Sequence, residues 1–122
     1  QVAQYPSKIG FLEPHSDPYL HQRLFFSGYM SRRGSDYAGG GFYVVGANNR
    51  VIEAEEEIEA GDVGIGYATV YHGVAPCNRG LDPDWDSPCG RWFLSMYSNA
   101  SDEKPDRHTG HPVKLNLPGV MP

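Results

Sequence analysis

The chain has 122 residues, enough for one hydrophobic core and too few for two. Its formal charge of −5 and the scarcity of adjacent cations, with Arg32 and Arg33 the only neighbouring pair, argue against a nucleic-acid partner, which needs clustered Lys and Arg. No apolar run approaches the roughly 18 residues of a membrane span, and Gly and Pro together supply 25 residues, which favours a turn-rich fold over a helical bundle.

In chain order, the start at Gln1 shows no basic-then-apolar leader, and reads as an end from which a leader was removed or never present. Residues 8–13, KIGFLE, can supply a first strand. "LEPHSDPYLH" (12–21) follows, with His15 and Asp17 two apart between prolines. "RLFFSGYMS" (23–31) is apolar and aromatic without helical spacing, a strand, and "RRGSDYAGGG" after it is a loop. "GFYVVGA" (41–47) is a second strand, closed by the turn residues Asn48 and Asn49. "VIEAEEEIEA" (51–60) starts with apolar and acidic residues alternating. A helix is conceivable from its Glu and Ala content, but a short strand fits its neighbours better, with Glu55, Glu56, Glu57 and Glu59 forming a solvated edge.

Residues 61–76 carry Val63, Ile65 and Tyr67 at period two and read as one strand running into another. A loop at 77–90 separates them from the strand "RWFLSMYS" (91–98). The expected architecture is all-β, a sandwich or jelly roll. Its core is expected over 1–100 and an extended surface tail over 101–122.

Residues i and i+2 of an extended segment project to one side, so His15 and Asp17 can share a metal. Such a pair alone is more often a turn. His72, on a glycine-flanked strand, is the candidate third ligand. Two neutral imidazoles and one carboxylate leave about three of six octahedral positions open, as in non-haem Fe(II) oxygenases.

Taken together, "HSD", "YAGGGFYVV", "EAGDVGIGYATVYHGVAP" and "GRWFLSMYS" resemble, in order, the core of the Fe(II)- and 2-oxoglutarate-dependent dioxygenases, especially their prolyl-hydroxylase-like branch. The resemblance covers about residues 9 to 99. It implies a double-stranded β-helix, here without the usual N-terminal helices, so that a partner chain or missing N-terminal sequence would complete the sheet. It makes His15, Asp17 and His72 the catalytic iron ligands and Arg91 the partner of the 2-oxoglutarate distal carboxylate, a role suited to a planar guanidinium. Tyr29 is the candidate supplement to Arg91, set against the common fate of a strand tyrosine as core. Ser95 and Tyr97 fall on the same face as Arg91 and are candidate pocket residues. Tyr37 is the candidate substrate contact, whereas Tyr19, Tyr43, Tyr71 and Trp92 read first as core. The implied cofactors are Fe(II), 2-oxoglutarate and O2, with ascorbate as an accessory reductant. The implied reaction is an oxidoreductase's hydroxylation of a small-molecule or peptide substrate, such as a prolyl side chain. The chain departs from the family in the spacing from His72 to Arg91, which the 77–90 loop lengthens.

Two other classes stand beside that one: a cupin-like metalloprotein that makes no use of 2-oxoglutarate, and a non-catalytic jelly roll serving as a binding or assembly module. Cys77 and Cys89 could bridge the long loop as a disulfide in an oxidising compartment, or remain two free thiols. "NAS" makes Asn99 a candidate glycosylation site, and with the cysteines it leans the reading towards secretion. His108 and His111 lie beside Gly110 and Pro112, which disfavour a metal-binding helix, and His21 is too close to the first pair to form a separate site.

Overall fold

The computed structural model describes residues 1–18, 22–99 and 111–117. It consists of two antiparallel sheets, with a single short 3-10 turn as the one helical segment among the described residues. The all-β expectation is met at that level. The first sheet has the order β1 (Val2–Tyr5), β8 (Arg91–Asn99), β3 (Gln22–Tyr29) and β6 (Val63–Tyr67). The second has the order β5 (Val51–Glu53), β4 (Gly41–Val45), β7 (His72–Ala75), β2 (Leu12–Ser16) and β9 (His111–Pro112). No helix among the described residues is long and apolar enough to cross a membrane.

The sheets bury their facing sides against each other. Phe25 and Tyr29 from β3 meet Phe42 from β4 and Val74 from β7 in one apolar cluster. Period-two alternation explains the selection: along β3, Phe25, Ser27 and Tyr29 are buried, while Leu24, Phe26 and Gly28 between them face the other way. Gly66 of β6, paired with Phe25 on the neighbouring strand, leaves room for that ring, because a Cβ there would collide with it. Among the described residues, the outer side of the first sheet carries exposed apolar side chains. Val63, Ile65 and Tyr67 of β6, Met96 of β8 and Val2 of β1 are all exposed there, in register across the strands. The outer side of the second sheet is covered instead by the chain's end, where Leu117 buries itself against Tyr43 and Ala75 with Leu115 beside it.

Several expectations are corrected by these elements. The N-terminal residues form β1, paired along β8 from Val2↔Leu94 to Tyr5↔Arg91, where no strand was expected. The first expected strand, 8–13, lies later, at Leu12–Ser16, because Gly10 turns back against Pro6 and its N–H donates to the Pro6 carbonyl. The tail is not merely surface chain, since β9 adds to the edge of β2. Tyr19, His21, His108 and the side chains of Tyr97, Asn99 and His111 lie outside the described residues. Cys77 is buried with its Sγ 3.8 Å from the Tyr5 carbonyl, whereas Cys89 is exposed before Gly90. Both are free thiols, the second of the two alternatives, so the loop is not bridged.

The largest correction concerns the acidic run. β5 ends at Glu53, and two residues later Glu55 turns inward and is 2% exposed, as is Arg91. Glu55 accepts from Arg91 Nε at both oxygens, 2.9 and 3.1 Å away, and forms a further short contact with Nη2. The Tyr37 hydroxyl donates to the same carboxylate. Each carboxylate oxygen thus has a donor, which is the condition for burying such a charge. Glu55 follows an edge strand of the second sheet and Arg91 opens β8 of the first, so this pair clasps the two sheets.

Arg91→Met should therefore cost about 3–5 kcal/mol by stranding the Glu55 carboxylate without its cation. Urea unfolding at unchanged m-value reads that loss, and a shift below about 1 kcal/mol would show that the clasp is dispensable.

Candidate metal centre

β2 and β7 run antiparallel with His15 directly opposite His72. Opposed residues on neighbouring strands point to the same face, so this register delivers both imidazoles to the interior. Their ring centroids are 4.5 Å apart. Asp17, two residues beyond His15, faces the same way, and its N–H donates to the Ala68 carbonyl in the turn between β6 and β7, which anchors the end of β2. The ligating atoms of His15, Asp17 and His72 all lie within 4.8 Å of one another. His15 Nε2 is 3.9 Å from Asp17 Oδ1. Ligands sharing one ion at about 2.1 Å stand about 3.0–3.4 Å apart, so modest side-chain rotation closes the set around a metal.

The hydrogen bonds select the ring nitrogen that would bind. His15 Nδ1 sits 2.8 Å from the Glu13 carbonyl and His72 Nδ1 sits 2.9 Å from the Val70 carbonyl. A carbonyl only accepts, so each Nδ1 carries the proton and each Nε2 keeps its lone pair. Both histidines use the carbonyl two residues earlier, a local consequence of extended backbone. Gln22 plays the same orienting part for the carboxylate, its Nε2 donating to Asp17 Oδ2 at 2.6 Å and leaving Oδ1 turned to His15. Such outer partners are what a metal site needs beyond its ligands.

Electrostatics favour a cation here. Burial pulls the His72 pKa down to about 4, the neighbouring His15 adds to that, and the Val70 carbonyl opposes it. Burial raises the Asp17 pKa, with His15 and the Gln22 hydrogen bond working the other way. A buried acid group beside an imidazole whose protonation burial opposes is a site short of positive charge. Phe25 and Phe42 press on the His72 ring with centroids 4.6 and 5.6 Å away, so hydrocarbon encloses it and fixes its plane.

The three side chains open onto a cavity of about 250 Å³, whose wall also includes Phe25, Ser27, Arg91, Phe93 and Ser95. Of these residues, Arg91 at Nη1 and Ser95 at Oγ are buried without a hydrogen-bond partner among the described residues. Ser95 thus lies where its spacing from Arg91 suggests. Tyr29 does not line this cavity; it packs in the core beside Gly64, and burial, with Glu55 adding and Arg91 opposing, pushes its pKa up to about 12. Tyr37, the candidate substrate contact, is 5% exposed and spends its hydroxyl on Glu55, which with burial drives its pKa far above the ordinary tyrosine value. Gln22, bonded to Asp17, and Glu55, bonded to Arg91, were not among the expected site residues. Gln22 carries no sequence signal, and Glu55 hides in a run whose other acidic members are exposed.

The His72 shift fixes a direction for acid stability in the metal-free protein. Its folded pKa of about 4 lies below the unfolded value of 6.5, so between those limits the unfolded chain binds the extra proton. The His72 contribution should be fully present above pH 6.5 and be lost as pH falls towards 4. His72→Phe should flatten that part of the stability profile, measured by urea unfolding across the window, and an unchanged slope would contradict the assignment.

Comparison with models of known protein families and with curated proteins returns no match. Any reading of function therefore rests on the geometry of this centre.

Proposed function

We propose that the protein is a non-haem iron dioxygenase that couples oxidative decarboxylation of 2-oxoglutarate to hydroxylation of a small-molecule or peptide substrate. The observation that carries this reading is the convergence of His15, Asp17 and His72 at a cavity lined also by Arg91, whose Nη1 is buried without a partner among the described residues. Three ligands on one face leave the opposite positions of a six-coordinate ion open, the arrangement used by Fe(II) oxygenases. The two packed antiparallel sheets are compatible with a double-stranded β-helix, the fold this function would occupy.

Fe(II) at the centre would supply O2 activation. The protein's residues would do the rest. His15 and His72 would offer Nε2, held in that tautomer by the Glu13 and Val70 carbonyls, and Asp17 would offer Oδ1 with Gln22 bracing its other oxygen. Arg91 Nη1 and Ser95 Oγ would bind the distal carboxylate of the cosubstrate. Phe25, Phe42 and Phe93 would keep water from the reacting atoms.

One observation favours a second reading. Arg91 already holds a carboxylate of its own, Glu55, so its charge is not free in the way a dedicated cosubstrate anchor would require. On that reading the protein is a cupin-like metalloprotein that uses the same three ligands and no 2-oxoglutarate.

Anaerobic titration with Fe(II) and 2-oxoglutarate tests the first reading through the visible metal-to-ligand charge-transfer band. The band should form in wild type and be lost in His72→Ala; its absence from wild type, with Fe(II) still bound, would favour the cupin-like alternative. Gln22→Ala should weaken metal binding by about 10–100-fold without abolishing it, measured by competition with a chromogenic chelator. Equal affinity in that variant would remove Gln22 from the site.

A further inference from the structure

The most closely engaged charged group near the cavity is one that does not line it. Glu55 takes Nε and Nη2 of Arg91, and these contacts leave Nη1 buried without a partner. Several features fix the carboxylate in that place. The Tyr37 hydroxyl donates to Oε2, and Gly41 has no side chain where a Cβ would collide with the same oxygen. Arg91 is held independently of Glu55, because its guanidinium carbon lies 4.9 Å from the Tyr5 ring centroid and 5.2 Å from that of Phe93. Position and charge at this side of the cavity thus have separate sources, the rings for one and Glu55 for the other.

We propose that Glu55 is a specificity-determining residue acting through Arg91: it leaves one buried guanidinium nitrogen, Nη1, unpaired for a ligand to take up and attenuates the guanidinium charge, so that the cavity holds a carboxylate weakly and releases it readily. This deepens the dioxygenase reading and rests on it for the identity of the carboxylate as cosubstrate and product. An anion arriving at Nη1 and Ser95 Oγ meets a cation whose charge is already opposed by a fixed carboxylate on the same guanidinium. In a low-dielectric interior that opposition is felt strongly. A lone buried arginine would bind a dicarboxylate more tightly and surrender it more slowly.

The direct test uses glutarate, a five-carbon dicarboxylate without the 2-oxo group and so unable to chelate a metal through it, bound to the metal-free chain and measured by calorimetry. Glu55→Gln keeps the shape and an acceptor oxygen while removing the charge. Glutarate should bind this variant about tenfold more tightly than wild type, since a like charge near the site has gone. Equal or weaker binding in Glu55→Gln, or no binding to either protein, would overturn the proposal. Should that variant fail to fold, Tyr37→Phe decides the matter. Losing the hydroxyl returns the carboxylate wholly to Arg91 and should weaken glutarate binding several-fold, while unchanged or tighter binding would again overturn it. Opposite signs from the two variants are not what a merely structural role would produce. Tighter glutarate binding in Glu55→Gln, without any Fe(II) and 2-oxoglutarate charge-transfer band, would keep the role of Glu55 and sink the dioxygenase reading alone.

Discussion

The pairing register between β2 and β7 is the constraint on which the rest depends. It sets His15 against His72, and because side chains alternate along a strand, a slip of one residue would turn one imidazole to the outer face and dissolve the centre. The register is held from several directions. His72 is packed by Phe25 and Phe42, the end of β2 is tied to Ala68, and β9 pairs along the other edge of β2, with Val113 donating to the Pro14 carbonyl. Residues 111–113 therefore help to hold the strand that carries His15 and leads into Asp17.

A second constraint is the buried pairing of Arg91 with Glu55. Buried ion pairs are weak contributors to stability when compared with well-packed apolar residues, because desolvation offsets most of their attraction. Retaining one beside a cavity invites an explanation other than stability. On the proposed reading Nη1, buried without a partner among the described residues on a side chain that lines that cavity, supplies one, as a hydrogen-bond donor of moderated charge for a ligand.

Much of this was legible in the sequence, for reasons that differ by element. Strands 3, 4, 6, 7 and 8 announce themselves through β-branched and aromatic runs bounded by glycine, and His15, Asp17 and His72 could be grouped because period-two projection and antiparallel pairing are local rules. What escaped was set by distant contact. β1 is a weakly apolar stretch that becomes a strand only because β8 offers it an edge. Glu55 looks like its acidic neighbours until Arg91, thirty-six positions away, is brought beside it. Cys77 and Cys89 had suitable spacing along the chain, but the fold buries one and exposes the other. Tyr37 was singled out for its place in a turn-rich loop, and its hydroxyl proves to be committed to Glu55.

Whether His15, Asp17 and His72 form a single metal centre can be read from anomalous scattering by crystals grown with Zn(II). One strong peak is expected about 2.0–2.2 Å from His15 Nε2, His72 Nε2 and Asp17 Oδ1 together. A map with no peak among these three groups, or with zinc bound through either Nδ1, would contradict it.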